Sequence, residues 1–245
     1  MLYKYPSLRT TPPVAGYYAR LDAGAAATDQ FTTDGTQNGT LTNGATRSGS
    51  PLAYSFDGVN DYITSAAVSG WNVINATVSA WVNVTIGSAI QIANRYYATT
   101  VDQGWILNIN AAGKAVFSGR ESAALFISAV GATTLTSGVW THIAGVKSGT
   151  SWKVYVNGVE DGSTVAGNGT TAFASNPLMI GALPVFSLYS ALTLDDFVFY
   201  TTNLAAVDIG YLATQRGAIY AEAPSDFESG MFGGISGAMT GGMAS

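Results

Sequence analysis

The sequence predicts an all-β protein: a two-sheet antiparallel β-sandwich with one short C-terminal helix and extended arms at both termini. Three observations carry this. Apolar residues recur at a period of two in several short segments. Turn-forming pairs separate those segments. Helical spacing is convincing only once, near the end, which excludes alternating βα units and leaves a sandwich as the economical arrangement.

The elements follow in chain order. Residues 1 to about 15 are an arm ending in Thr11-Pro12-Pro13, where proline fixes φ and favours an extended approach to the first strand. The body spans residues 16–220. Thr77 to Val84 alternates strictly, with Val78, Ala80, Val82 and Val84 on one face and Thr77, Ser79, Trp81 and Asn83 on the other. Trp105, Leu107 and Ile109 repeat the pattern. Val139 to Val146 is a third predicted strand, and Trp152, Val154 and Val156 share one face of a fourth. Asn157-Gly158 supplies a type I′ hairpin turn, after which Val159 to Val165 is expected to return as the partner. Leu194 to Tyr200 is a late strand. Leu204, Val207, Tyr211 and Leu212 have helical spacing, with Gly217 as the stop. Residues 221–245 form a tail rich in Gly and Met, a composition expected to be disordered in isolation.

Composition narrows the function. Hydrophobic residues make up 47% of the 245, enough for a full core. Charged residues make up 10%, against about 25% in an ordinary soluble domain. The net charge is −5 and the ten Lys/Arg are scattered, so nothing attracts nucleic acid. The absence of cysteine excludes disulfides, Cys-bound zinc and thiol chemistry. The N-terminus lacks the central apolar stretch of a signal peptide, and no apolar run reaches the roughly 18 residues of a membrane span.

Four segments, in order, carry a family resemblance. The first is Asn38-Gly39-Thr40-Leu41 with Asn43-Gly44-Ala45. The second is Ser55-Phe56-Asp57-Gly58-Val59-Asn60-Asp61-Tyr62. The third is Trp140-Thr141-His142-Ile143-Ala144-Gly145-Val146 with Trp152-Lys153-Val154-Tyr155-Val156-Asn157-Gly158. The fourth is Asp195-Asp196-Phe197-Val198-Phe199-Tyr200 before the helix. Together they resemble the laminin-G-like jelly-roll domain of the concanavalin A-like lectin/glucanase superfamily, over residues 16–216. Ala205 departs from the Ser-like helix cap usual in that family. The ending Gln215-Arg216-Gly217-Ala218-Ile219-Tyr220 is similar to that of such domains in bacteriophage structural proteins.

Enzymatic readings fail on the residues. Retaining glycosidases need two carboxylates about 5–5.5 Å apart. The four glutamates, Glu121, Glu160, Glu222 and Glu228, lack such a partner on an alternating strand. His142, the single histidine, falls in a predicted strand, where a packed or half-buried ring is expected rather than a catalytic or metal-bound one. The resemblance nominates Asp22, Asp34 and Asp195 for a structural calcium ion. The competing reading makes Asp34-Gly35 a turn and Asp195-Asp196 a strand end. Trp71, Tyr96 and Tyr97, in predicted loops, are the aromatics expected to stack on a glycan. No catalytic residue and no other cofactor is nominated.

Two functions follow as expectations. The first is a virion structural protein, a capsid decoration protein of bacteriophage type displayed on the capsid surface. Its arm (Tyr3, Tyr5) and tail (Met231, Phe232, Met239) would contact the major capsid protein or sister subunits of a homo-oligomer, a trimer among the symmetric options. The second is a carbohydrate-binding module that adheres to host-surface glycans.

Overall fold

The computed structural model describes residues 18–21, 39–49, 52–67, 73–95, 104–122, 125–169, 176–214 and 216. The first half of the chain supplies β1 (Tyr18–Leu21), β2 (Thr40–Thr42), β3 (Thr46–Gly49), β4 (Leu52–Asp57), β5 (Tyr62–Ala67), β6 (Ala76–Val84), β7 (Ile90–Asn94), β8 (Gly104–Ile109) and β9 (Lys114–Ser122). The second half supplies β10 (Leu125–Thr134), β11 (Thr141–Ser148), β12 (Ser151–Val156), β13 (Val159–Glu160), β14 (Val165–Ala166) and β15 (Pro177–Ile180). Next come β16 (Ala182–Leu183), β17 (Leu188–Tyr189), β18 (Ala191–Tyr200) and one helix, α1 (Ala206–Leu212).

Two antiparallel sheets form the sandwich. The larger has nine strands along β13-β12-β11-β6-β18-β4-β3, with β1 on β18 and β14 on β12. The smaller has seven, in the order β10-β9-β8-β7-β15-β5-β2. β16 and β17 form a separate two-stranded ladder. The alternation in β6 works as expected, because Val78, Ala80, Val82 and Val84 all enter the core. Facing them are Trp105, Leu107, Ile109 and Phe117 of the smaller sheet. Trp105 stacks on Phe199 at 5.5 Å, and Phe117 meets Trp152 at 4.9 Å, so aromatic pairs bridge the two layers. Each fully buried large apolar side chain contributes about 1.5–3 kcal/mol. Gly145 has no side chain because the Phe117 ring occupies that space.

The Asn157-Gly158 turn is also as expected. Its φ values of 49° and 82° are both positive, as a type I′ turn requires. Four expected boundaries differ. β18 begins at Ala191, three residues before the expected Leu194, because Ala191 to Leu194 pair with β4. β11 begins at Thr141, so Val139 and Trp140 precede the strand; the turn at Gly138 is held by Asn83, whose Nδ2 donates to the Gly138 carbonyl at 3.0 Å. The single return strand over 159–165 is instead two short pieces, β13 and β14. The Asp161 amide still donates to the Val154 carbonyl at 2.9 Å, and Gly162 then takes φ +90°, which turns the chain out of the ladder. The helix stops at Leu212, and Gly217 lies outside the described residues. Its N-terminus has no side-chain cap from Ala205; Asp208 reaches back instead and accepts the Ala205 amide at 3.3 Å.

β18 contains a bulge. Leu192 and Leu194 point into the core, and so do Phe197 and Phe199, which requires one extra residue between the pairs. Asp196 absorbs it at φ +46°, a conformation Asp tolerates better than most residues.

Candidate binding site

The ends of the sandwich are chemically different. At one end, β5 stops at Ala67 beside Pro177 of β15, and β7 stops at Asn94 beside Met179 of the same strand. β8 starts at the same level, since the Arg95 amide donates to the Trp105 carbonyl at 3.0 Å. Residues 68–72 and 96–103 therefore leave from strands separated only by β15, about 10 Å apart at the usual strand spacing. Trp71, Tyr96 and Tyr97 belong to those two segments and lie outside the described residues.

Buried charge fixes the described frame of this end. Lys147 and Glu121 form an ion pair at 3.1 Å with both side chains fully buried. Lys147 Nζ also donates to the carbonyls of Ile74 (3.1 Å) and Gly149 (2.8 Å), which uses all three ammonium donors. Glu121 accepts from Trp152 Nε1 at 2.9 Å and from the Asn168 and Gly169 amides. Burial alone would raise its pKa. The bonds from Trp152 and Asn168, with the bond and charge of Lys147, outweigh that and hold the carboxyl below its ordinary range. The group is a brace between the sheets and the loops, and its donors and acceptors are consumed by structure. Arg95, just past the end of β7, is also buried and holds the Asn176 carbonyl through Nε (3.1 Å) and Nη2 (3.0 Å). Burial lowers its pKa to about 10, so it stays charged at neutral pH.

A second polar cluster lies on the outer face of the larger sheet, under α1. His142 is buried, and its Nε2 lies 2.7 Å from Ser79 Oγ. The Trp81 ring meets it edge-on at 5.6 Å. Burial lowers its pKa to about 4, so it is neutral at physiological pH. The expectation of a packed strand histidine therefore agrees with the structure. Trp81 Nε1 donates to the Leu212 carbonyl at 3.3 Å. Past the helix, Arg216 stacks over Trp140 at 3.6 Å and pairs with Asp195 at 3.3 Å.

That pairing bears on calcium. Asp195 is the described member of the nominated set, and its carboxylate already holds a guanidinium. Asp22 and Asp34 lie outside the described residues. Among the described residues, no group of three or more His, Cys, Asp or Glu could hold a metal ion. Tyr3, Tyr5, Met231, Phe232 and Met239 also lie outside the described residues.

At the opposite end, a shallow groove of about 260 Å³ crosses the outer face of the larger sheet. Ser55, Thr193 and Asn83 lie side by side across it, on β4, β18 and β6. Thr85 also lines it, together with the stretches of strand at Phe56, Val84, Ala191 and Leu192. Among the described residues, none that lines it is charged. The sequence reading missed this groove, because it exists only through the pairing of three distant strands.

Comparison with known proteins fits this architecture. A family profile described as the concanavalin A-like lectin/glucanases superfamily matches residues 57–210, more than half of the chain. The chain belongs to this superfamily. No curated protein sequence matches it significantly. Among solved structures of the superfamily's fold, it resembles botulinum neurotoxin type C, which enters cells in a manner dependent upon interaction with two ganglioside molecules, at TM-score 0.64 and 14% identity. It also resembles the binding domain of botulinum neurotoxin DC, solved in complex with rat synaptotagmin II, at TM-score 0.64 and 12% identity. A third similar structure is the binding domain of Paraclostridial Mosquitocidal Protein 1, at TM-score 0.63 and 14% identity. Each match covers 81% of this chain and 51% of the other, so the chain spans about half the length of these relatives. At such identities the likeness is one of fold. Among the described residues, no helix of this superfamily member is long and apolar enough to cross a membrane.

Proposed function

We propose that the chain is a non-enzymatic, lectin-like module that binds a surface glycan at the end of the sandwich where residues 68–72 and 96–103 depart. The observation that carries this reading is the convergence of β5, β15, β7 and β8 at that end. The two segments that follow β5 and β7 in sequence contain Trp71 and Tyr96-Tyr97, and the reading takes these rings as the glycan contacts. Rings supply a stacking platform for a sugar face, and a chain with only 10% charged residues suits a neutral, hydrogen-bonding partner. The chemistry favours binding over turnover, because Glu121 and Lys147 are committed to each other and His142 is sealed under α1. A glycan array probed with the chain, and with Trp71→Ala and Tyr97→Ala, tests the reading. The expected result is a defined set of bound glycans lost in both variants; no binding by the parent chain would sink it.

A second reading is assembly into a bacteriophage particle as a capsid decoration protein, anchored through the arm and the tail. The similarity of its ending to phage structural proteins supports it, as does the clamp of Arg216 on Trp140 and Asp195, which fixes the chain just before the tail. Deleting residues 221–245 and measuring particle occupancy decides it; undiminished occupancy removes the tail from the mechanism.

A further inference from the structure

The groove at the far end of the larger sheet has the makings of a site of its own. Ser55 lies between Tyr54 and Phe56, Thr193 between Leu192 and Leu194, and Asn83 between Val82 and Val84. All six neighbours enter the core, so the three polar side chains point outward together. In register, Thr193 faces Ser55 on one side and Asn83 on the other. Strand spacing sets neighbouring side chains about 4.8 Å apart, close enough for one small ligand to touch all three.

Three features mark the row as more than a solvated face. Adjacent hydroxyls across strands commonly bond one another, yet Ser55 and Thr193 form no side-chain hydrogen bond among the described residues. The Asn83 amide is oriented, because its Nδ2 donates to the Gly138 carbonyl at 3.0 Å, which leaves Oδ1 as a fixed acceptor. Finally, α1 and the residues after it occupy the neighbouring part of this face, through Trp81 on Leu212 and Arg216 on Trp140. The Ser55–Thr193–Asn83 row lies beyond that cover and lines a concave groove of about 260 Å³, just below the roughly 300 Å³ at which pockets for drug-sized molecules begin.

We propose that this groove is a second sugar subsite, separate from the loop end, which takes one uncharged, hexose-sized unit. The lining selects that class. Three hydroxyls both donate and accept, the amide oxygen accepts, and the absence of charge gives no advantage to a phosphate, a carboxylate or an amine. The proposal borrows its ligand class from the glycan reading, but none of its residues. The chain is then bivalent, with one site at each end, and it gains avidity on a dense glycan surface without oligomerising.

Amide chemical-shift titration of the isotope-labelled full chain with methyl glycosides of glucose, galactose, mannose and N-acetylglucosamine, at millimolar concentrations, tests this. At least one sugar is expected to shift Ser55, Asn83, Thr85 and Thr193. Thr193→Val keeps the shape and removes the hydroxyl, so it weakens that set roughly tenfold while leaving any set near Ala67 and Asn94 unchanged. Ser55→Ala gives an independent reading if Thr193→Val does not fold. Trp71→Ala is expected to do the reverse, which separates the fate of this site from that of the loop end. No shift in the groove with any of the four sugars overturns the inference, as does a groove titration unchanged in Ser55→Ala and in any folded Thr193→Val.

Discussion

A neutral histidine beneath the helix ties the stability of this fold to pH. His142 titrates near 4 in the folded chain and near 6.5 when unfolded. Between those values the unfolded chain binds the extra proton, so stability is complete above pH 6.5 and is lost as pH falls toward 4. At about 1.4 kcal/mol per pKa unit, the loss across the window is on the order of 3 kcal/mol. Urea denaturation at pH 7 and pH 5 is expected to show part of it, and His142→Gln should flatten the slope between those two points. Glu121 acts lower on the scale: its carboxyl sits below the ordinary range, so its contribution is present above that range and disappears as pH falls through it. The same residue sets a second expectation. Lys147→Met leaves a buried carboxylate uncompensated and should cost about 3–5 kcal/mol. Adding Glu121→Gln removes the stranded charge and should recover a measurable part of that loss; a double variant no more stable than Lys147→Met would argue against the brace.

Among the elements, the close packing of β11 on β9 leaves the least room for change. A Cβ on Gly145 would collide with the Phe117 ring between the sheets. Gly145→Ala is therefore expected to cost about 1–3 kcal/mol and to lower the melting temperature, read by near-UV circular dichroism. That demand was invisible in the sequence, where Gly145 is one residue inside an apolar run. The period-two faces of β6 and β12 were legible, because Val78 to Val84 and Trp152 to Val156 alternate without interruption. So was the Asn157-Gly158 turn, which depends on two adjacent residues alone. The bulge in β18 left a trace that the period-two reading passed over: Leu192 to Leu194 is two residues, Leu194 to Phe197 is three, and Phe197 to Phe199 is two again. The break at Asp161-Gly162 was hidden, since Gly162 takes a positive φ where the Val130 carbonyl of another strand leaves no room for a side chain. The groove was equally hidden, because Ser55, Asn83 and Thr193 meet only once β4, β18 and β6 have paired.

At the level of the whole molecule, the main core draws side chains from both sheets, from Ala45 to Phe199 in sequence. Beside it, only a small cluster of Ala144, Val146, Tyr155 and Ile209 lies between the larger sheet and α1 among the described residues. Calorimetry is expected to give one transition with calorimetric and van't Hoff enthalpies in agreement; two resolved transitions would mean that the sheets melt separately. The clamp at Arg216 has a mechanical meaning as well. A pull on the residues that follow Arg216 is delivered to Trp140 and to Asp195 of β18. That strand is gripped by β6 along one edge and by β4 and β1 along the other. Force entering there is shared among ladders on both sides, rather than concentrated at a free edge that could be peeled away one hydrogen bond at a time.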